Sequence, residues 1–239
     1  MKSSFKDVPF IGPIIRRIKT RQSCKQFRGS KNYWIRRYES GRSSGAGSYN
    51  KLAEFKAEVL NGFVKEQNIS SVIEYGCGDG NQLTTADYLS YIGFDVSPKA
   101  IALCEKAFRT DPSKSFHLMD EYHGETAPLT ISLDVIYHLV EDATFEAYMR
   151  RLFDSSQRFV VIYSSDTDTN VAETAPHVKH RKFTAWVAAN YPRWRLKSHI
   201  RNKYPFKGNV SEGSFADFFI YEKLSDYGVT APTERNTRP

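Results

Sequence analysis

Apolar residues at 52, 55, 59, 60 and 63, namely Leu52, Phe55, Val59, Leu60 and Phe63, recur with helical period and predict a helix over about 49–66. Past it the rhythm changes to short β-branched and aromatic runs separated by helical stretches. The pattern predicts strands at 71–75, 91–95, 115–118, 130–136 and 158–163, and helices at about 81–89, 98–109 and 141–153. A further helix at 181–190 and two closing strands at 195–201 and 215–222 complete the series. Strands and helices alternating at this spacing imply an α/β fold with a doubly wound, mostly parallel sheet. No internal repeat is visible.

Ahead of this body the pattern is different. Residues 7–22 put Phe10, Ile11, Ile14, Ile15 and Ile18 at roughly helical spacing among Arg16, Arg17, Lys19 and Arg21. Such a basic amphipathic element can lie on a membrane surface or a partner, or pack as an arm on its own domain. An aromatic and basic stretch, KNYWIRRYESG, follows, and then SGRSSGAGS at 40–48, whose composition predicts a mobile loop. The expected organisation is a basic arm and Gly/Ser lid loop at 1–48, one domain at 49–224, and a flexible tail at 225–239.

Charge follows the same division. Residues 1–42 hold 12 Lys/Arg and 2 Asp/Glu, so they carry +10 of a net +7 and leave −3 on the rest. A slightly acidic body weakens a nucleic-acid reading that the whole-chain charge would invite. The 239 residues suit one α/β domain with an appended segment. No run approaches the roughly 18 apolar residues that span a bilayer, and Pro9, Gly12 and Pro13 interrupt the one apolar patch near the N-terminus. Cys24, Cys77 and Cys104 are scattered and show no zinc-type spacing, so a reducing cytoplasm and no metal are expected.

The chemistry begins at SVIEYGCGDGN, residues 71–81. Gly76, Gly78 and Gly80 follow a buried-strand pattern at every second position, whereas a dinucleotide GxGxxG fingerprint would need glycine where Asn81 stands. By itself the turn could be no more than a tight turn. The pattern E-x-G-x-G-x-G, however, resembles motif I of class I S-adenosylmethionine-dependent methyltransferases, and the resemblance continues at Asp95 in GFDVS and at Asp120 in FHLMD. It implies a Rossmann-like methyltransferase fold, a seven-stranded sheet with an antiparallel last strand. It also implies S-adenosylmethionine as cofactor, held by Glu74, Gly76, Gly78, Gly80, Asp95, Val96, Met119, Asp120 and Leu133. Asp95 would take the ribose hydroxyls, since a carboxylate offers acceptors only. The likeness spans about 49–222 and departs at one point: 14 residues separate Gly80 from Asp95, so the first crossover helix must be short.

In such a fold the acceptor site lies beyond strands four and five. His138 is the candidate general base, because imidazole titrates near neutrality; Asp134 could orient it, and Asp166 could act as a second acid. The histidine could equally cap a strand-to-helix junction, and either aspartate a helix or turn. The constellation PHVKHRKFTAW, with His177, His180 and Arg181, suits an anionic or polyhydroxylated acceptor or is a solvated basic loop. Arg42 and Tyr49 could belong to a lid or to a plain linker.

No NPPY-like tetrapeptide or Pro-Cys nucleophile stands at the fourth strand, which argues against DNA bases and leaves RNA open. Over several segments, including RYESGRSSGAGSY, SLDVIYHLVED and SFADFFIYEK, the chain is similar to bacterial methyltransferases of glycan and surface-polysaccharide biosynthesis. That likeness implies O-methylation of a glycan or sugar-linked group, in the cytoplasm or peripheral to the inner face of the membrane, with a glycosyltransferase as a possible partner. The alternatives are a methyltransferase for another small metabolite or RNA, and a cofactor-binding module without turnover.

Overall fold

The structure, a computed structural model, describes residues 27–171 and 174–225. The expected amphipathic element at 7–22 and all but the first residue of the expected tail lie outside the described residues. The helices are α1 (Ser30–Glu39), α2 (Asn50–Glu66), α3 (Pro98–Ala107), α4 (Asp142–Asp154) and α5 (Phe183–Asn190). The strands are β1 (Val72–Tyr75), β2 (Tyr91–Asp95), β3 (Lys114–Leu118), β4 (Ala127–Leu133), β5 (Ser156–Ser164), β6 (Trp194–Ile200) and β7 (Asp217–Lys223).

The strands form one seven-stranded sheet in the order β3-β2-β1-β4-β5-β7-β6. β1 to β5 pair in parallel, while β7 enters antiparallel between β5 and β6. This is the mostly parallel sheet that the alternation predicts, with the Rossmann-like methyltransferase topology that the family resemblance implies. All four residues of β1 are buried, as are Phe159–Ser164 of β5, as expected of strands covered on both faces. Pleating divides them between two cores. Val72, Leu129, Phe159 and Val161 meet Phe55, Leu60 and Phe63 of α2; Ile73, Val160 and Ile162 meet Phe145, Met149 and Leu152 of α4 and Phe183 of α5.

Four local differences bear on the site. The helix expected at 81–89 is only a 3₁₀ turn at Gln82–Thr85, because the short link to β2 runs out beneath α2, where Asn61 bonds the Thr85 carbonyl and the Asp87 N–H. The fourth strand stops at Leu133, since Asp134 adopts φ +60° and turns the chain out of the sheet. The Gly/Ser segment expected as a mobile loop contains a 3₁₀ turn at Ala46–Ser48 and is bonded to the glycine turn. Helix α1 has no counterpart in the expectations; it buries only Ser30 and Tyr38, too little to leave an apolar period in the sequence. Among the described residues no helix is long and apolar enough to cross a membrane.

Candidate active site

A cleft opens at the C-terminal ends of β1, β2 and β4, where the strand order reverses and where open α/β sheets bind ligands. Its empty volume, including the open mouth, is about 850 Å³. Helix α1 forms one wall through Trp34 and Tyr38; Glu74, Gly76, Gly78, Asp95, Val96, Met119, Leu133, Asp134 and His138 reach it from the strand ends.

At the glycine end the backbone explains the residue types. Gly76 and Gly78 have φ of +84° and +62°, where side chains are disfavoured. A Cβ on Gly76 would strike Val135, and one on Gly78 would strike the hydroxyls of Ser44 and Tyr38. Gly80 does something else: it lies outside the cleft, and its missing side chain makes room for Cys104 and Phe108 of the α3 region. What the structure shows for Gly80 is helix packing, not a cofactor contact.

Two carboxylates are desolvated here. Glu74 accepts a 2.6 Å hydrogen bond from Tyr91, and burial pushes its carboxyl up to about 7 against the opposing pull of that bond and the Lys56 charge. Asp95 accepts from Gly78 N–H at 3.1 Å and Ser97 N–H at 2.9 Å, yet burial still raises it to about 6. Burial disfavours the charged form of both, so a cationic or hydrogen-bond-donating ligand would stabilise their carboxylates.

The 40–48 segment is tied over this turn. Asp79 accepts from Ser44 N–H and from the Tyr49 hydroxyl, both at 2.8 Å; its own N–H donates to Ser44 Oγ at 3.0 Å, and Asn81 donates to the Ser48 carbonyl at 2.7 Å. Tyr49 thus braces the loop from the Asp79 side and does not face the acceptor end. Arg42 is exposed and bonds Ser40.

The β4 end is built from distant parts of the chain. Asp134 accepts from Lys56 Nζ at 2.8 Å and from the Tyr137 hydroxyl at 2.8 Å. Lys56 is 1% exposed, an ammonium set among core residues of α2, with its Nζ 5.2 Å from the Tyr163 ring centroid. Sequence reasoning missed it. The available signal was its place on the apolar stripe with Leu52, Leu60 and Phe63, a position where a lysine needs a buried partner. His138 sits one turn beyond. Its Nδ1 lies 3.0 Å from the His177 carbonyl, which can only accept, so Nδ1 carries the ring proton and Nε2 keeps the free lone pair. Burial lowers the imidazole to about 4, only partly opposed by that hydrogen bond, and so keeps it neutral at ordinary pH. Trp34 packs edge-on to this ring at 4.9 Å, while His177 stacks between His138 and Tyr33.

Several expected residues stand elsewhere. Asp120 is 78% exposed and pairs with Lys31 at 2.8 Å, leaving Met119 to line the cleft. Asp166 accepts from Thr184 N–H and Oγ1 and so caps α5, the turn-capping alternative, in place of serving as a second acid. Arg181 clamps the Leu139 and Val140 carbonyls and Asp142, a structural use of its fork. His177 meets the site through its backbone carbonyl and ring stacking, and His180 turns away to Ser165 Oγ at 2.7 Å. Among the described residues no group of three or more His, Cys, Asp or Glu is arranged to hold a metal ion.

No family model matches the chain, and no curated protein matches it by sequence. Solved structures do match its fold. The N-methyltransferase NodS from Bradyrhizobium japonicum WM9, crystallised with S-adenosylhomocysteine, aligns with a TM-score of 0.62 at 12% identity over 82% of this chain and 100% of NodS. The methyltransferase domain of bacterial CtHen1 aligns at 0.54, with 16% identity over 71% of this chain and 97% of that domain. The magnesium protoporphyrin IX methyltransferase ChlM from Synechocystis PCC 6803, with bound S-adenosylhomocysteine, aligns at 0.52, with 13% identity over 71% and 83% of the two chains.

Proposed function

We propose that this protein is an S-adenosylmethionine-dependent methyltransferase that methylates a hydroxyl of a glycan or sugar-linked acceptor. The observation that carries the transferase reading is the convergence, in one cleft at the switch point, of a glycine turn with no room for side chains, two desolvated carboxylates and a neutral histidine with a free ring nitrogen. The neighbours crystallised with S-adenosylmethionine or its product are consistent with it. The glycan part rests on the sequence resemblance.

The residues present fit the cofactor. Gly76 and Gly78 would let its methionine portion lie against the backbone, Glu74 would answer its ammonium, and Asp95 would accept from the ribose hydroxyls. Val96, Met119 and Leu133 supply an apolar wall for a flat base. When bound, the cofactor supplies a sulfonium methyl, already on a good leaving group. What remains for the chain is alignment and proton removal. His138 Nε2 would take the hydroxyl proton as the new O–C bond forms, leaving imidazolium that Nδ1–H keeps oriented toward the His177 carbonyl. Asp134, held by Lys56 and Tyr137, would place a fixed negative charge beside that developing cation. A hydroxyl acceptor suits a neutral imidazole base better than an already nucleophilic amine would require. The basic segment at 1–42 would bring the enzyme to anionic lipid or to an acidic partner.

Transfer of a labelled methyl group to lipid-linked glycans, nucleotide sugars, RNA and amine-bearing saccharides tests the reading. Label on a glycan hydroxyl, lost in His138→Ala, is the expected result. Label only on RNA or on amines would contradict the acceptor assignment, and no label on any of these would contradict transferase activity toward them.

A further inference from the structure

A second groove lies beyond the C-terminal end of β5, between the first turn of α5 and the strands β6 and β7, and encloses about 1,320 Å³ including its open side. Its walls are built firmly. Asp166 caps α5, Asp168 accepts from Lys182 N–H, and Asn170 bonds both the N–H and the carbonyl of His180. Opposite them, His199 bonds Asp217 at 2.9 Å and stacks on Phe219 at 4.5 Å.

The groove has a distinctive chemistry. Ser164, only 1% exposed, lines it, and its hydroxyl has no hydrogen-bond partner. A buried hydroxyl left without a partner is costly and therefore uncommon. Around it stand the hydroxyls of Ser165, Thr167 and Thr169, while Phe206 and Phe215 remain 44% and 39% exposed with their rings 6.2 Å apart. Among the described lining residues there is no Lys or Arg, in a chain with 34 of them. The two carboxylates are already engaged, Asp166 by Thr184 and Asp217 by His199 and the Asn202 N–H. The groove thus offers apolar ring faces and neutral donors and acceptors, with no cation for a phosphate or carboxylate and no free anion for an amine. A ligand that presents C–H faces on one side and hydroxyls around its edge matches this set.

We infer that the groove binds a neutral saccharide, as an extension of the acceptor whose reacting end lies at His138. This deepens the proposed function and rests on it for the link to methyl transfer. The link has a structural basis: Phe215 packs edge-on to Tyr137 at 5.0 Å, His180 lies 6.1 Å from the same ring, and Tyr137 also meets His138 at 4.5 Å. One buried aromatic side chain thus packs against both the groove and the base. For the two to act together, a saccharide in the groove must pass its next unit round Tyr137.

The experiment uses the full chain on an array of neutral, anionic and amino glycans with single-stranded oligonucleotides, followed by titration of the best neutral glycan, with S-adenosylhomocysteine affinity measured separately. Retention of neutral glycans is expected, with affinity about tenfold lower in Phe206→Ala, lower also in Ser164→Ala, and S-adenosylhomocysteine affinity unchanged in both. Phe206 is exposed and Ser164 Oγ holds no partner, so neither variant should unfold the chain. No neutral glycan retained, preference for anionic glycans or RNA, or glycan affinity indifferent to both substitutions would overturn the inference. Glycan binding in a protein that ignores S-adenosylhomocysteine would leave the groove standing and remove the methyl-transfer reading.

Discussion

The two ends of the cleft are built by different means. The glycine end is local: Glu74, Gly76, Gly78 and Asp79 stand within six residues, and Asp95 joins them from the neighbouring strand through a hydrogen bond to Gly78 N–H. Backbone conformation dictates what residue can stand there. The β4 end is assembled from α1, α2, the turn after β4 and the loop before α5, so that Trp34, Lys56, Asp134, His138 and His177 meet only once the chain has folded. One end is specified by conformational permission and the other by long-range pairing. Substitutions should separate them, with the glycine end failing in cofactor affinity and the β4 end failing in turnover or stability.

The largest separation is expected at His138. His138→Ala should lower turnover by about 10²–10⁴ while S-adenosylhomocysteine affinity stays near that of the unchanged protein. Loss of affinity together with unfolding would make this histidine structural. Since the neutral ring is required and its pKa lies near 4, turnover should persist below the usual histidine range and fall only as pH drops toward about 4. At saturating cofactor, where the titration of Glu74 does not limit the rate, an acid limb near 6.5 would contradict the burial argument.

At the other end, Gly78→Val forces a branched side chain into φ +62° and against Ser44 and Tyr38. Cofactor affinity should fall by at least about tenfold as the turn is displaced, the φ strain of order 1–2 kcal/mol should lower stability, and a circular dichroism spectrum should show whether the fold is kept. Lys56→Met should act on stability instead. It leaves the Asp134 carboxylate, whose side chain is 14% exposed, without its cation, at a cost of about 3 kcal/mol. The melting midpoint should drop by about 6–12 °C, with part of the loss recovered in Lys56→Met/Asp134→Asn. A double variant no better than the single one would show that the ion pair is not what Lys56 supplies.

A smaller effect distinguishes the two carboxylates of the glycine end. Glu74 is raised to about 7, so the empty site holds it largely protonated below that pH. A cationic ammonium binds the carboxylate form; affinity should therefore rise as pH climbs through 7, with a proton released on binding. Calorimetry in buffers of different ionisation enthalpy reads that proton, and Glu74→Gln should abolish it. Smallest of all is Asp120→Ala, which removes an exposed pair with Lys31 and should change stability by less than about 1 kcal/mol and cofactor affinity hardly at all.

The same contrast explains what could be read from the chain. The antiparallel last strand follows from the family resemblance, while the alternation of strands and helices and the glycine turn follow from periodicity and from a short motif whose residues act where they stand. Lys56 does not, because an isolated lysine on an apolar stripe says that a partner exists without saying that it is Asp134, 78 residues away. Helix α1 was illegible for another reason: it meets the body through hydrogen bonds, an ion pair and ring contacts of Ser30, Lys31, Tyr33, Trp34 and Tyr38, which leave no aliphatic period. Asp120 and Asp166 lie at strand ends where a motif position and a cap look alike in sequence. Only their partners, Lys31 and Thr184, tell the two apart.

The central claim is that the glycine end is a cofactor site, and calorimetric titration of the full chain with S-adenosylhomocysteine tests it most directly. The account predicts one molecule bound per chain, with affinity reduced at least about tenfold in Asp95→Ala, where two charge-assisted hydrogen bonds of about 1.5–3 kcal/mol each are lost. No binding to the unchanged protein, or binding of equal strength in Asp95→Ala, would contradict it.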